Sequence, residues 1–276
     1  MNRAERVGAA GLPAAARDAL EARLGGAFTA VEQENGRSSG IAAVLTGPDG
    51  ERVFVKGLPE GADRLPELKA EARLAPHLPP LAPPLLWTVH AGGWHLLAFQ
   101  ALDADPPYSW FDTGSEHLEP AAAVLRELSE IAAPPEARLP TVLDRLGEFC
   151  DPAHTSLLTG DRLVHLDPGG ANFVPDTNGR TWLVDWGWAA RGPAWATTAL
   201  WGFRIVCEGP QPPEAAAAWT ATIPAFANAP RDAVIALTRA EANSWQAEAA
   251  ITSEEDVQPM LTASRAWADY WQSRPD

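Results

Sequence analysis

The chain of 276 residues carries 21 basic against 36 acidic side chains, a net −15, with 46% apolar residues and 12 Trp. The apolar content supports a folded core, and the length suits one large domain or two closely packed lobes. The negative field disfavours nucleic acid and anionic membrane as partners and attracts cations. No apolar run reaches the length of a membrane span, and the N-terminus lacks the apolar stretch of a signal peptide, so a cytoplasmic address is expected. Cys150 and Cys207 are too few for a disulfide framework and lack zinc-type spacing; both read as small buried apolar residues. Lys56 and Lys69 are the only lysines beside 19 arginines, the imbalance of a GC-biased genome. A Lys kept under that bias marks a place that Arg's planar fork does not fill.

The first twelve residues read as a frayed start. A helix is predicted over 13–24, with Pro13 in its first turn and Gly25-Gly26 ending it. Strands follow near 28–34, 41–46 and 51–57, the last two joined by the turn Gly47-Pro48-Asp49-Gly50. Between the first two lies a loop at 34–40. Its Gly36, Gly40, Ser38 and Ser39 let the backbone approach a triphosphate and offer N–H groups and hydroxyls; the alternative is a plain turn. Lys56 lies near the end of the third strand. A helix over 66–78 carries Glu67 and Glu71 one turn apart on one face. Past a Pro-rich run, strands near 85–90 and 94–99 are joined by Ala91-Gly92-Gly93, and 94–99 is too apolar to be exposed on both faces. The segment Gln100-Ala101-Leu102 follows, and 103–107 reads as a linker.

The second part is mostly helical. Leu118, Ala121, Leu125, Leu128 and Ala132 form one apolar stripe, and a shorter helix is predicted over 141–150. Further helices are expected over 193–207, 213–219, 231–251 and 257–271. Between these groups Leu163-Val164 runs into His165-Leu166-Asp167, Asn172 follows, and a second apolar strand delivers Asp185. Asp176-Thr177-Asn178-Gly179 reads as a hairpin loop. One hairpin is therefore expected to bring Asp167, Asn172 and Asp185 together at neighbouring strand ends. Two carboxylates and an amide oxygen make a poor core and suit magnesium, which prefers hard oxygen ligands and shares its shell with substrate phosphates. The alternative is an ordinary acidic hairpin.

His-x-Asp, four residues, Asn, then an Asp-Trp strand resembles the aminoglycoside phosphotransferase family, antibiotic kinases built on a protein-kinase-like fold. The strand ending in Lys56 adds to the likeness, which spans residues 27 to 205. It implies an α+β, protein-kinase-like bilobal fold. A small β-rich N-lobe, 1–102, holds the nucleotide, and a large, mostly α-helical C-lobe, 103–276, holds catalysis and the acceptor. The resemblance implies Asp167 as the catalytic carboxylate and Asn172 and Asp185 as ligands of Mg2+. Lys56 is implied on the nucleotide phosphates, with Glu71, or Glu67 in its place, as its ion-pair partner. Ser38 and Ser39 fall in the implied phosphate loop, and Gln100 to Leu102 in the hinge that holds adenine. His165 is implied to order the catalytic loop rather than to act as a base. His77, His90, His95, His117 and His154 show no readable pairing.

Three features depart from that family. Leu166 stands where Gly or Thr is usual, Pro168 restricts Asp167 to extended geometry, and Gly169-Gly170-Ala171 replaces the usual run before Asn. The expected activity is transfer of the γ-phosphate of ATP or GTP to a hydroxyl of an aminoglycoside or other cationic antibiotic. The alternatives are a kinase for a small metabolite, such as an amino alcohol or sugar, and an inactive nucleotide-binding module. Beyond Cys207 the chain holds ten acidic and four basic residues. These acids, with Trp195, Trp201, Trp245 and Trp271, either bind a cationic acceptor or face water while the Trp face the core.

Overall fold

The computed structural model describes residues 6–33, 39–104 and 110–274. The chain forms two compact units, Asn2–Ala104 with Asp185–Gly187, and Asp105–Val184 with Trp188–Asp276. Among the described residues no helix is long and apolar enough to cross a membrane.

The first unit contains α1 (Ala14–Arg23), β1 (Thr29–Glu32), β2 (Ile41–Thr46), β3 (Arg52–Pro59), α2 (Leu65–Leu74), β4 (Leu85–Ala91) and β5 (Trp94–Gln100). Its five strands form one antiparallel sheet in the order β1-β2-β3-β5-β4. Side chains alternate across a strand, so each strand serves two faces. Val53, Val55, Leu96 and Ala98 join Ala16, Leu20 and Leu24 of the α1 region in one core. Phe54, Leu97 and Phe99 join Leu65 and Leu68 of α2 in another. The sheet is covered on both faces, which explains why residues 94–99 are all buried and show no polar alternation. Truncating fully buried Leu20 to Ala would cost about 2–5 kcal/mol.

Chain punctuation sets the helix ends. Pro13 caps α1, and Gly25 and Gly26, at φ 75° and 155°, turn the chain out of it. α2 stops at Leu74 rather than 78, and Ala75–His77 tightens into a 3-10 turn. Pro76 has no N–H to continue the α-helical ladder.

The second unit contains α3 (Leu118–Ser129), α4 (Val142–Leu146), β6 (Arg162–Val164), β7 (Phe173–Pro175), β8 (Thr181–Leu183), β9 (Ala190–Gly192), α5 (Ala196–Glu208), α6 (Pro213–Thr220), α7 (Pro224–Ala227), α8 (Arg231–Ile251) and α9 (Val257–Ser273). The expected stripe on α3 is buried from Leu118 to Leu128; Ala132 falls beyond the helix end. The helix expected over 141–150 is shorter. Thr141 and Asp144 form a capping box that starts α4, and a 3-10 turn at Gly147–Phe149 ends it. α8 and α9 pack on one another, and α5 packs against α9. Phe111 meets Phe173 and Trp201 edge-on at 6.1 and 6.0 Å, and Trp267 Nε1 donates to the Ala199 carbonyl at 2.9 Å.

One expected pairing is corrected. Leu163 and Val164 do not join the hairpin that ends in Asp185. They form β6, which pairs antiparallel with β9, while β7 and β8 make the hairpin alone. Ala190-Arg191-Gly192 carries no apolar alternation, so its strand character comes from tertiary pairing rather than from propensity.

Candidate functional site

In the first unit, strand alternation puts Lys56 on the same sheet face as Phe54 and α2, opposite Leu97 in the β5 register. There Lys56 Nζ lies 2.6 Å from Glu71 Oε2 and 2.9 Å from Asp185 Oδ1. The Lys56 and Glu71 side chains are 9% and 4% exposed, whereas Asp185 is 38% exposed. Burial alone would push the Lys56 pKa down; the Asp185 and Glu71 carboxylates outweigh it, and the net shift is upward. Lys56 is therefore a held ammonium. Glu71 Oε1 also accepts from the Trp186 N–H at 3.2 Å, so one carboxylate ties α2 to both Lys56 and the 185–187 segment. Glu67 turns the other way, to Arg64 Nε at 2.8 Å.

Asp185 has φ 63°, a left-handed conformation that is uncommon for a non-glycine residue. Such strain persists where surrounding bonds over-determine it, and here the Lys56 pair and the Trp186–Glu71 bond flank the residue. Of the expected phosphate loop, Ser39 is buried at 5% exposure, and Ser38 lies outside the described residues. Gln100 ends β5, and its N–H is already given to the Pro84 carbonyl at 3.0 Å. Leu102 is half-buried beyond the strand.

In the second unit the chain leaves β6 through fully buried His165. Its N–H donates to Thr197 Oγ1 at 3.0 Å, its ring Nε2–H donates to the Val184 carbonyl at 3.0 Å, and its Nδ1 accepts from the Asp167 N–H at 3.3 Å. Both ring nitrogens are engaged, so the ring braces the turn. Asn172 Nδ2 donates to the Asp167 carbonyl at 2.7 Å and to Asp167 Oδ2 at 3.2 Å. The hairpin base is closed by Val184 N–H donating to the Asn172 carbonyl at 2.9 Å. Asp176 closes its tip by accepting from the N–H groups of Asn178 and Arg180 and from Trp182 Nε1, which holds its carboxyl below the usual range. That closed tip fixes the register that delivers Val184 and hence Asp185.

Sequence reasoning passed over Arg204 and counted Glu208 only among the acids beyond Cys207. Arg204 pairs with Asp167 Oδ1 and, through Nη1, with Glu208 Oε1 at 3.1 Å; Glu208 Oε2 accepts from the Gly170 N–H at 2.6 Å. Arg204 and Glu208 are the only charges on α5, one turn apart. That isolated pair was the available signal. Glu241, on α8, accepts from Trp245 Nε1 at 2.8 Å, and burial pushes its pKa up to about 7. Trp195 and Trp201 lie in the core, and Trp245 and Trp271 are half-buried.

The fold is protein-kinase-like. No family model matches the sequence, and no curated protein does. Solved structures match. A thermostable mutant of aminoglycoside phosphotransferase APH(4)-Ia, in ternary complex with ADP and hygromycin B, aligns with TM-score 0.58 at 14% identity over 94% of this chain and 99% of its own. Macrolide 2'-phosphotransferase MphH from Brachybacterium faecium aligns at 0.56 and 20% identity, over 94% and 98%. Choline kinase LicA from Streptococcus pneumoniae aligns at 0.55 and 12% identity, over 92% and 98%. The chain has the aminoglycoside phosphotransferase fold.

Proposed function

We propose that this protein transfers the γ-phosphate of ATP or GTP to a hydroxyl of a small molecule. The observation that carries the reading is Lys56, held as an ammonium between Glu71 and Asp185 in a chain with a phosphotransferase fold. Phosphoryl transfer asks a protein mainly to position groups and neutralise charge. Lys56 binds the nucleotide phosphates, kept in place by Glu71. Asp167, with its side chain 41% exposed, accepts the acceptor hydroxyl's proton, and His165 and Asn172 hold its backbone. Ser39 lies on the phosphate side, and the chain from Gln100 to Leu102 holds the base through backbone groups other than the Gln100 N–H, which goes to Pro84.

Asn172 and Asp185, the ligands that the family resemblance implies for Mg2+, are of the hard-oxygen type the ion takes: both Asn172 side-chain bonds use Nδ2, which reserves its Oδ1, and Asp185 brings a carboxylate. Bound there, the ion would neutralise phosphate charge. The acceptor we favour is an aminoglycoside or other cationic antibiotic, in keeping with the net −15 of the chain and with the hygromycin B complex among its structural neighbours. The likeness to a choline kinase supports the second reading, a small amino alcohol.

The test is to incubate the purified chain with Mg2+ and γ-labelled ATP or GTP against aminoglycosides, macrolides and amino alcohols. Label on an aminoglycoside upholds the first acceptor class, and label on an amino alcohol the second. Nucleotide that stabilises the fold while no acceptor is labelled would leave a binding module.

A further inference from the structure

His165 and Asn172 brace Asp167 and the Gly169 carbonyl locally, but the run Pro168-Gly169-Gly170 brings no polar side chain of its own. Pro168 supplies no N–H, and neither Gly169 nor Gly170 brings a side chain. Their emptiness has a structural cause. A Cβ on Gly170 would sit 2.6 Å from the Cβ of Trp110, and one on Gly169 would sit 3.0 Å from Glu208 Oε1. The loop runs between Trp110 and one turn of α5, and that turn grips it at both ends. Arg204 holds the Asp167 carboxylate through Oδ1, and Glu208 holds the Gly170 amide. The grip closes on itself through the Arg204–Glu208 pair.

An ordinary i,i+4 surface pair on a helix contributes little to stability. This one is different in kind. The Arg204 side chain is 12% exposed, and its Nη1 also contacts Met260 Sδ at 3.3 Å. Its planar fork spans two carboxylates from different parts of the chain, a task a point-charge ammonium does less well. The Oδ2 side of Asp167 is left to Asn172 and to whatever else approaches that half-exposed carboxylate.

We infer that Arg204 and Glu208 are a positioning pair that sets the direction of the Asp167 carboxylate toward the acceptor hydroxyl, compensating for a Pro-Gly-Gly run that brings no polar side chain of its own. This rests on the phosphotransferase reading. A carboxylate turned away from its hydroxyl loses rate without loss of nucleotide binding, and small misplacements cost on the order of a hundredfold.

The experiment compares wild type, Arg204→Met, Arg204→Lys and Glu208→Gln in steady-state transfer, with nucleotide affinity measured separately. Arg204→Met should lower kcat by about tenfold to a hundredfold while the nucleotide Kd stays within about twofold. Arg204→Lys should recover part of that loss, because charge returns to Asp167 without the fork. Glu208→Gln keeps an acceptor for the Gly170 N–H and loses the ion pair, so its kcat should fall less than that of Arg204→Met. It carries the test if the Met variant does not fold. Unchanged kcat in Arg204→Met, or in Glu208→Gln when it stands in, overturns the inference; so does a parallel loss of nucleotide affinity. If the wild type labels no acceptor, the transferase reading fails, and hydrogen exchange judges the grip. The Gly170 amide should then exchange about tenfold faster in Glu208→Ala, with the His165 amide unaffected; equal exchange at Gly170 overturns the pair.

Discussion

Lys56 Nζ lies 2.6 Å from Glu71 Oε2, with the two side chains 9% and 4% exposed. A charge pair this far from water adds little net stability when intact, but removing one partner strands the other. Lys56→Ala should therefore weaken nucleotide binding and also cost about 3–5 kcal/mol of stability, because Glu71 and Asp185 would lose their shared cation. Lys56→Met combined with Glu71→Gln should recover much of that stability and none of the nucleotide binding. Chemical unfolding of wild type, Lys56→Met, Glu71→Gln and the double variant closes a thermodynamic cycle. Additive losses would mean that the contact carries no coupling.

Asp185 is the natural place to separate the fold from the chemistry. Asn tolerates left-handed backbone better than most residues, so Asp185→Asn should fold with φ 63° intact and with Lys56 still paired to Glu71. It should lose at least about tenfold in transfer rate, or 1.4 kcal/mol of transition-state stabilisation, and less in nucleotide affinity. Turnover at the wild-type rate with Mg2+ present would remove Asp185 from the metal ligands.

Asp167→Asn preserves the shape of the side chain and removes its basicity. Loss of a general base costs about a hundredfold or more in rate. Nucleotide affinity should not change, since Lys56 and Glu71 are untouched. In a sensitive host, resistance conferred by the wild type and equally by this variant would rule Asp167 out as the proton acceptor.

Much of this was legible before the structure, and the division has physical causes. Lys56 stood out because lysine is scarce in the chain and this one lies near the end of a strand. Glu71 over Glu67 followed from likeness to a family, and the geometry shows why: Glu67 has Arg64 three residues back, while Glu71 faces the sheet. The hairpin tip was readable because Asp176 and Gly179 encode their turn locally. What escaped is long-range. Arg204 meets Asp167 across 37 residues of sequence, and β6 finds β9 through a strand with no signature. Short-range patterns carry no record of such contacts. The left-handed backbone at Asp185 is equally silent, since no Gly marks it.

Glu241 gives the clearest pH signature. Burial is the main cause of its upward shift, from 4.5 to about 7, partly offset by the Trp245 bond and the Arg204 charge. A carboxyl that holds its proton more tightly in the folded chain makes stability highest below the unfolded value. Between about 4.5 and 7 the native state keeps a proton that the unfolded chain has released, so stability falls as pH rises through that window and levels off above it. Glu241→Gln keeps an acceptor for Trp245 Nε1 and removes the titration. Its melting temperature relative to wild type should therefore climb from pH 4.5 to about 7 and then stay flat. Thermal unfolding of both proteins across that range is the measurement. A difference that stays constant with pH would mean that Glu241 ionises in the folded chain as it does in water.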